Sequence, residues 1–177
     1  FSVYRSLMCS HFTFMALENV INNFSSGIKD VFHYKNKSIS KLNKLFVAYL
    51  IFDLFMMVYL KISRIDLFIH HGMCLIIFFL ANKYNYLGYF SNVLLINEAI
   101  SIVSGFDKIF LEEKQLDKSV LCKKYRLFVI KYIRLPIWII SIFIIIKNNK
   151  EIPLNFFWLG LGCSFIMILL DNYWKNK

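Results

Sequence analysis

Long apolar runs separated by short basic stretches constrain this chain more than any other feature. LFVAYLIFDLFMMVYL at 45–60 and IDLFIHHGMCLIIFFLA at 65–81 are two of six such runs, the others falling at about 2–24, 86–106, 126–146 and 154–174. A helix needs about 20 mostly apolar residues to cross a bilayer. Six runs in 177 residues leave no polar surface for a soluble globule. A lipid-facing backbone must satisfy its own hydrogen bonds, and no strand-like alternation appears, so the runs read as helices. The expected fold is all-α: a polytopic membrane protein with about six transmembrane helices in a single domain, 1–177.

Composition agrees, with 58% hydrophobic and only 18% charged residues, against about 45–50% and about 25% in soluble domains. Net charge is +10. Most of the basic residues lie between apolar runs, where membrane proteins keep them, so no nucleic-acid partner is expected. The two faces carry nearly equal basic charge, which leaves the orientation open. Cys9, Cys74, Cys122 and Cys163 are scattered without a C-x-x-C and read as inert thiols. The first run carries Arg5, His11 and Glu18, too polar for a signal-peptide core. The chain opens on Phe1, which is compatible with numbering that starts inside a longer protein.

Between the runs, a Lys-rich linker is expected over 29–44 and a tight loop at Lys61 and Arg64. The longest connection, 107–125, is expected on the membrane surface. Trp158, Tyr173 and Trp174 read as interfacial anchors.

Ionisable residues that fail to avoid the membrane carry the functional signal. A charge at the bilayer centre costs about 2.5–3.5 kcal/mol on insertion scales. His11, Asp53, His70, His71, Glu98, Lys131 and Arg134 all fall inside the runs, with Asn97 beside Glu98. At about 1.5 Å per residue, His70 and His71 lie roughly 8–9 Å into their run from the end bearing the N-terminus. Asp53, Glu98 and Arg134 come out roughly 11–13 Å from it, and His11 is about as deep. A shared internal site opening toward that face is the expectation. Asp66 and His70 are four apart, so Asp66 can orient the imidazole. Asn97, Ser101 and Ser104 form a polar stripe. Pro136 is expected to kink the fifth span and free carbonyls near Arg134.

Blander roles compete. An intramembrane His can be a helix–helix hydrogen bond, Glu98 a protonated packing residue, and Arg134 a counter-ion to Glu98 or Asp53. Lys131 is expected to snorkel. Asp66, Asp107 and Asp171 lie near span ends and are expected to be solvated. With four histidines, His33 among them in a loop, neither clustered di-iron boxes nor facing haem ligands beyond His11 and His70 can be assembled. No metal and no cofactor are expected.

Three motifs resemble the TLC-domain family of multipass membrane proteins, which includes the ceramide synthases. R-S-x-x-x-S-H (Arg5, Ser6, Ser10, His11) is similar to its opening pattern. D-x-x-x-H-H (Asp66, His70, His71) is similar to its central His pair. N-E-x-x-S (Asn97, Glu98, Ser101) stands where members carry an acidic residue, and Asp53 stands where many have one before the His helix. The resemblance covers nearly the whole chain. It implies a barrel-like bundle of six helices around a lipid-accepting cavity, in the endoplasmic reticulum or a related internal membrane. The synthases carry His-Asp where this chain has Asn97-Glu98, and the residues after His71 also differ, which places the chain nearer the non-synthase branches.

Two function classes follow. The first is a module that binds a membrane lipid (sphingolipid, fatty acyl or phospholipid) and regulates lipid composition, transport or sensing. Its cavity residues would be His11, Asp53, Asp66, Asn97, Ser101 and Arg134. The second is a sphingoid-base N-acyltransferase with acyl-CoA as co-substrate and His70, His71 and Glu98 as catalytic residues. A proton-coupled small transporter is a further alternative, and a homo-oligomer is compatible with either class.

Overall fold

The computed structural model describes residues 1–175, which are mostly helical, with no strand among them. The helices are α1 (Ser2–Asn22), α2 (Phe24–Lys29), α3 (Lys37–Tyr59), α4 (Ile65–Lys83), α5 (Gly88–Leu95), α6 (Ala99–Glu112), α7 (Leu116–Val129), α8 (Leu135–Lys147) and α9 (Leu154–Lys175). A 3₁₀ turn, Ile96–Glu98, joins α5 to α6, and a π turn, Ile130–Arg134, joins α7 to α8. Each of the six apolar runs therefore falls on a helical rod. Among the described residues four rods are long and apolar enough to cross a membrane: Lys37–Tyr59, Ile65–Lys83, Leu116–Lys147 and Leu154–Lys175. The chain is a polytopic helical membrane protein. Its outward side chains are large and apolar, among them Phe14, Phe55, Ile139, Phe143 and Leu169. In water such exposure would mark an aggregation surface; in a bilayer it is lipid contact.

The helix limits depart from the expected connections in physically legible ways. The linker over 29–44 is shorter than its lysines imply, because Asn36 caps α3: its side chain accepts from the Ile39 amide at 2.8 Å. Lys37, Lys41 and Lys44 thus lie on the helix. The connection expected at 107–125 is a turn at 113–115, with Lys114 in the left-handed region at φ 59°. The residues on either side extend α6 and open α7. Their pairing is fixed by a buried bond, the Ser119 hydroxyl donating to Asp107 at 2.6 Å. Asp107 is therefore buried, not solvated.

Pro136 acts differently from a simple kink. It sits at the start of α8, directly after the π turn, where the Leu135 amide reaches back to the Ile130 carbonyl. The widened turn absorbs the missing proline donor, and it carries Ile130 and Arg134 inward.

Two compact units make up the chain, Phe14–Ile96 and Phe1–Thr13 with Asn97–Lys177. In the first, α3 and α4 form an antiparallel hairpin, and α5 packs on α2 and α3. Phe46 meets Phe78 edge-on, with ring centres 4.8 Å apart. Gly27 allows α2 to approach α5, since a Cβ there would run into the Tyr89 ring, whose hydroxyl donates to the Val20 carbonyl at 3.0 Å. In the second unit, α6 pairs with α7 and α8 with α9. Gly105 lets α6 lie directly against Ser6 of α1.

Candidate functional site

Buried ionisable side chains occur in both units, around Asp53 and the two histidines in one and at Arg134, Glu98 and Asp107 in the other. Within Phe14–Ile96 the group is built by the α3–α4 hairpin. Asp53 comes from mid-α3 and is wholly buried; His70 and His71 come from the second turn of α4 and are 5% exposed each. His71 Nδ1 lies 2.7 Å from Asp53 Oδ2, at ion-pair distance though off the line of an ideal hydrogen bond. The His70 and His71 ring centres are 5.1 Å apart, and His70 Nδ1 is 3.7 Å from Cys74 Sγ, one turn on.

The carboxylate of Asp53, from the facing helix, meets the His71 imidazole. Asp66 is buried at the first turn of α4 and is gripped by Arg64, whose Nε donates to Asp66 Oδ1 at 2.8 Å. The expectation of a solvated Asp66 is corrected: the half-exposed Arg64 guanidinium screens it from the apolar run behind.

A network of uncharged amides lies in the same unit, and reading for charges passed over it. Asn19 Nδ2 donates to Asn92 Oδ1 at 2.8 Å, and Asn43 Nδ2 donates to Ser91 Oγ at 2.7 Å. The Ser91 hydroxyl is 2.7 Å from the Gly88 carbonyl. All four side chains are buried, Ser91 and Asn92 completely. They tie α1, α3 and α5 together; the signal was four polar residues standing in helical segments that otherwise face an apolar interior.

In the second unit Arg134 is the centre. It is fully buried, as is Asp171, and Arg134 Nε donates to Asp171 Oδ1 at 2.8 Å. Arg134 Nη1 donates to the Asn97 carbonyl at 2.6 Å. Trp138 Nε1 donates to Asp171 Oδ2 at 3.1 Å, and the guanidinium carbon stands 5.5 Å from the Trp174 ring centre. Asp171 and Trp174 are both corrected here. Proximity to a span end made them read as solvated carboxylate and interfacial anchor, but the arginine from the α7–α8 rod draws both inward. Trp158 and Tyr173 remain exposed.

Glu98, 5% exposed, sits in the 3₁₀ turn. Its Oε2 accepts from Ser101 Oγ at 3.2 Å and lies 3.5 Å from Cys9 Sγ on α1. Ser6 Oγ adds a 3.4 Å contact to the Ser101 carbonyl. The Asn97 side-chain amide is buried, with neither its nitrogen nor its oxygen bonded among the described residues. Ser104 and Lys131 are exposed, and His11 is exposed on α1 beside Phe12. Among the described residues no group of three or more His, Cys, Asp and Glu is placed to hold a metal ion. None of the four cysteines is in a disulfide; Cys74 is half-buried and the rest are buried.

Chemically, the α3–α4 group offers a carboxylate–imidazole pair beside a second imidazole, a set able to hold or pass a proton and to hydrogen-bond a polar head. The Arg134 group ties Asp171 and the Asn97 carbonyl to one guanidinium, with Arg134 Nη2 unbonded among the described residues. A family model of the TLC domain matches residues 1–177. No curated protein and no solved structure matches the chain.

Proposed function

Because the chain belongs to the TLC-domain family, we propose that it binds a membrane lipid by its polar head at the α3–α4 group and thereby regulates lipid composition, transport or sensing. Lipid handling or metabolism is the province of the family; the particular binding site is our reading. Residence in the endoplasmic reticulum or a related internal membrane is part of the same proposal, by resemblance to other members.

The observation that carries it is the Asp53–His71 pair, 2.7 Å apart and almost wholly buried in a membrane-spanning hairpin. Burying two ionisable groups in apolar surroundings costs several kcal/mol unless each is compensated. Helix packing alone is served as well by aliphatic side chains. A polar ligand that uses the pair gives the cost a function.

A second reading rests on the same geometry. With Nδ1 facing the Asp53 carboxylate, a neutral His71 protonated at Nδ1 would present its lone pair on Nε2, the arrangement of an oriented general base. In an N-acyltransferase, a long-chain-base amine would attack the thioester carbonyl of acyl-CoA. The amine proton would pass to the imidazole, the carbon–sulfur bond would break, and the proton would return to the departing thiolate. His70, in the same unit, is the further candidate for that chemistry. The Asn97-Glu98 pair, in place of His-Asp, favours binding over transfer.

Native mass spectrometry of the gently extracted protein, run beside an acyl-CoA turnover assay, separates the readings. Binding predicts one retained lipid fewer in Asp53→Ala and in His71→Ala than in the wild type, with no transfer in any form. Transfer that disappears in His71→Ala would install the enzyme. A protein that holds no lipid and transfers nothing would refute both.

A further inference from the structure

The strongest unassigned feature lies at the start of α3. Lys35, Asn36, Lys37, Ser40, Lys41, Lys44 and Leu45 line an open groove of about 680 Å³. Lys37, Lys41 and Lys44 follow one another at four- and three-residue spacing, so they stand on one helix face over about 10 Å. All three are exposed, while Lys35 is half-buried beside them. Burial pushes the Lys35 ammonium below its usual pKa, the mark of a cation short of solvent. Among the described residues none of the four forms an ion pair. No acidic residue occurs between Val31 and Phe52. The positive end of the α3 dipole adds to the same field.

Position decides what this charge is for. The apolar run opens at Leu45, directly after Lys44, and Leu45, Ile51, Phe52 and Phe55 are exposed further along the helix. A molecule whose anionic head rests among the lysines can therefore lay its chains along α3 without leaving the bilayer. A solution anion gains only the first half of that arrangement. We propose that the groove is a binding site for the phosphate-bearing headgroup of an anionic phospholipid, held at the membrane surface with its acyl chains against α3. The site uses none of the residues of the Asp53–His71 group and does not depend on it.

The test uses the full chain in detergent micelles doped with equal amounts of phosphatidylcholine and phosphatidic acid, with retained lipid counted by native mass spectrometry. The wild type should retain phosphatidic acid at least tenfold over phosphatidylcholine, and raising the salt should reduce the preference. Each lysine removed should weaken it by about fivefold. Lys37→Gln/Lys41→Gln/Lys44→Gln should therefore lose essentially all of it, while the matching Lys→Arg triple keeps it. Glutamine is accommodated readily at exposed helix positions, and an unchanged melting temperature will verify the fold. His71→Ala should keep the preference. Equal retention of the two lipids by the wild type would overturn the proposal, as would a preference undiminished in the glutamine triple. Displacement of the lipid by inorganic phosphate at equal concentration would overturn the lipid assignment in favour of a solution anion.

Discussion

Replacing Asp171 by alanine gives the sharpest test of how the second unit is held. The carboxylate accepts from Arg134 Nε at 2.8 Å and from Trp138 Nε1 at 3.1 Å, and neither Arg134 nor Asp171 has any exposed surface. Without it, the guanidinium keeps the Asn97 carbonyl at 2.6 Å and the Trp174 ring, neither of which carries a full negative charge. Removing one partner of a buried pair costs about 3–5 kcal/mol, because the other charge is left uncompensated. An orphaned indole donor alone accounts for about 1–3 kcal/mol of such a loss. In a chain of this size 1 kcal/mol corresponds to roughly 2–4 °C, so Asp171→Ala should lower the melting temperature of the purified protein by about 6–20 °C. Heating aliquots and counting the surviving monodisperse fraction by gel filtration measures it. The double variant Arg134→Met/Asp171→Leu supplies the control: it removes both charges and should be less damaged than Asp171→Ala, despite altering one more residue. A shift under about 2 °C for Asp171→Ala, or a double variant worse than the single, would refute the reasoning.

Two further substitutions probe the other unit. Gly27→Ala should lower stability by about 1–3 kcal/mol, since its methyl group meets the Tyr89 ring and must displace it from the Val20 carbonyl; thermal unfolding reads the loss, and a neutral result would mean the ring moves freely. Asn92→Leu should cost a similar amount by stranding the buried Asn19 amide, and Asn19→Leu/Asn92→Leu should recover part of it, which a double-mutant cycle will measure.

The six helical rods were legible because apolar length is a strong signal in a bilayer protein. Their ends were not. Hydropathy stops at Leu45 and Arg126, whereas α3 begins at Lys37 and α7 at Leu116. Those polar turns are helical because Asn36 caps one and the Asp107–Ser119 bond pins the other, and neither effect contributes to apolarity. The candidate residues divide in the same way. Asp53, His70, His71 and Arg134 stood out because a charge far inside an apolar run demands an explanation. Asp171 did not, because four residues from the end of α9 is close enough to water for a carboxylate to look satisfied. Its counter-charge comes from a rod 37 positions away, a pairing that only the fold reveals. The fork of Arg64, two residues before Asp66, holds that carboxylate, a partner that the four-residue spacing to His70 did not point to. The Asn19–Asn92 and Asn43–Ser91 bonds escaped notice because uncharged amides disturb an apolar average only slightly.

Photo-crosslinking tests the central claim, that lipid is held at the Asp53–His71 pair, most directly. A long-chain lipid with a diazirine beside its head group, irradiated in membranes containing the full chain, should give adducts on α3 and α4 peptides around Asp53 and His71, and these should vanish in Asp53→Ala. Adducts confined to outward residues such as Phe55, Ile69 and Phe79, unchanged in that variant, would contradict the account.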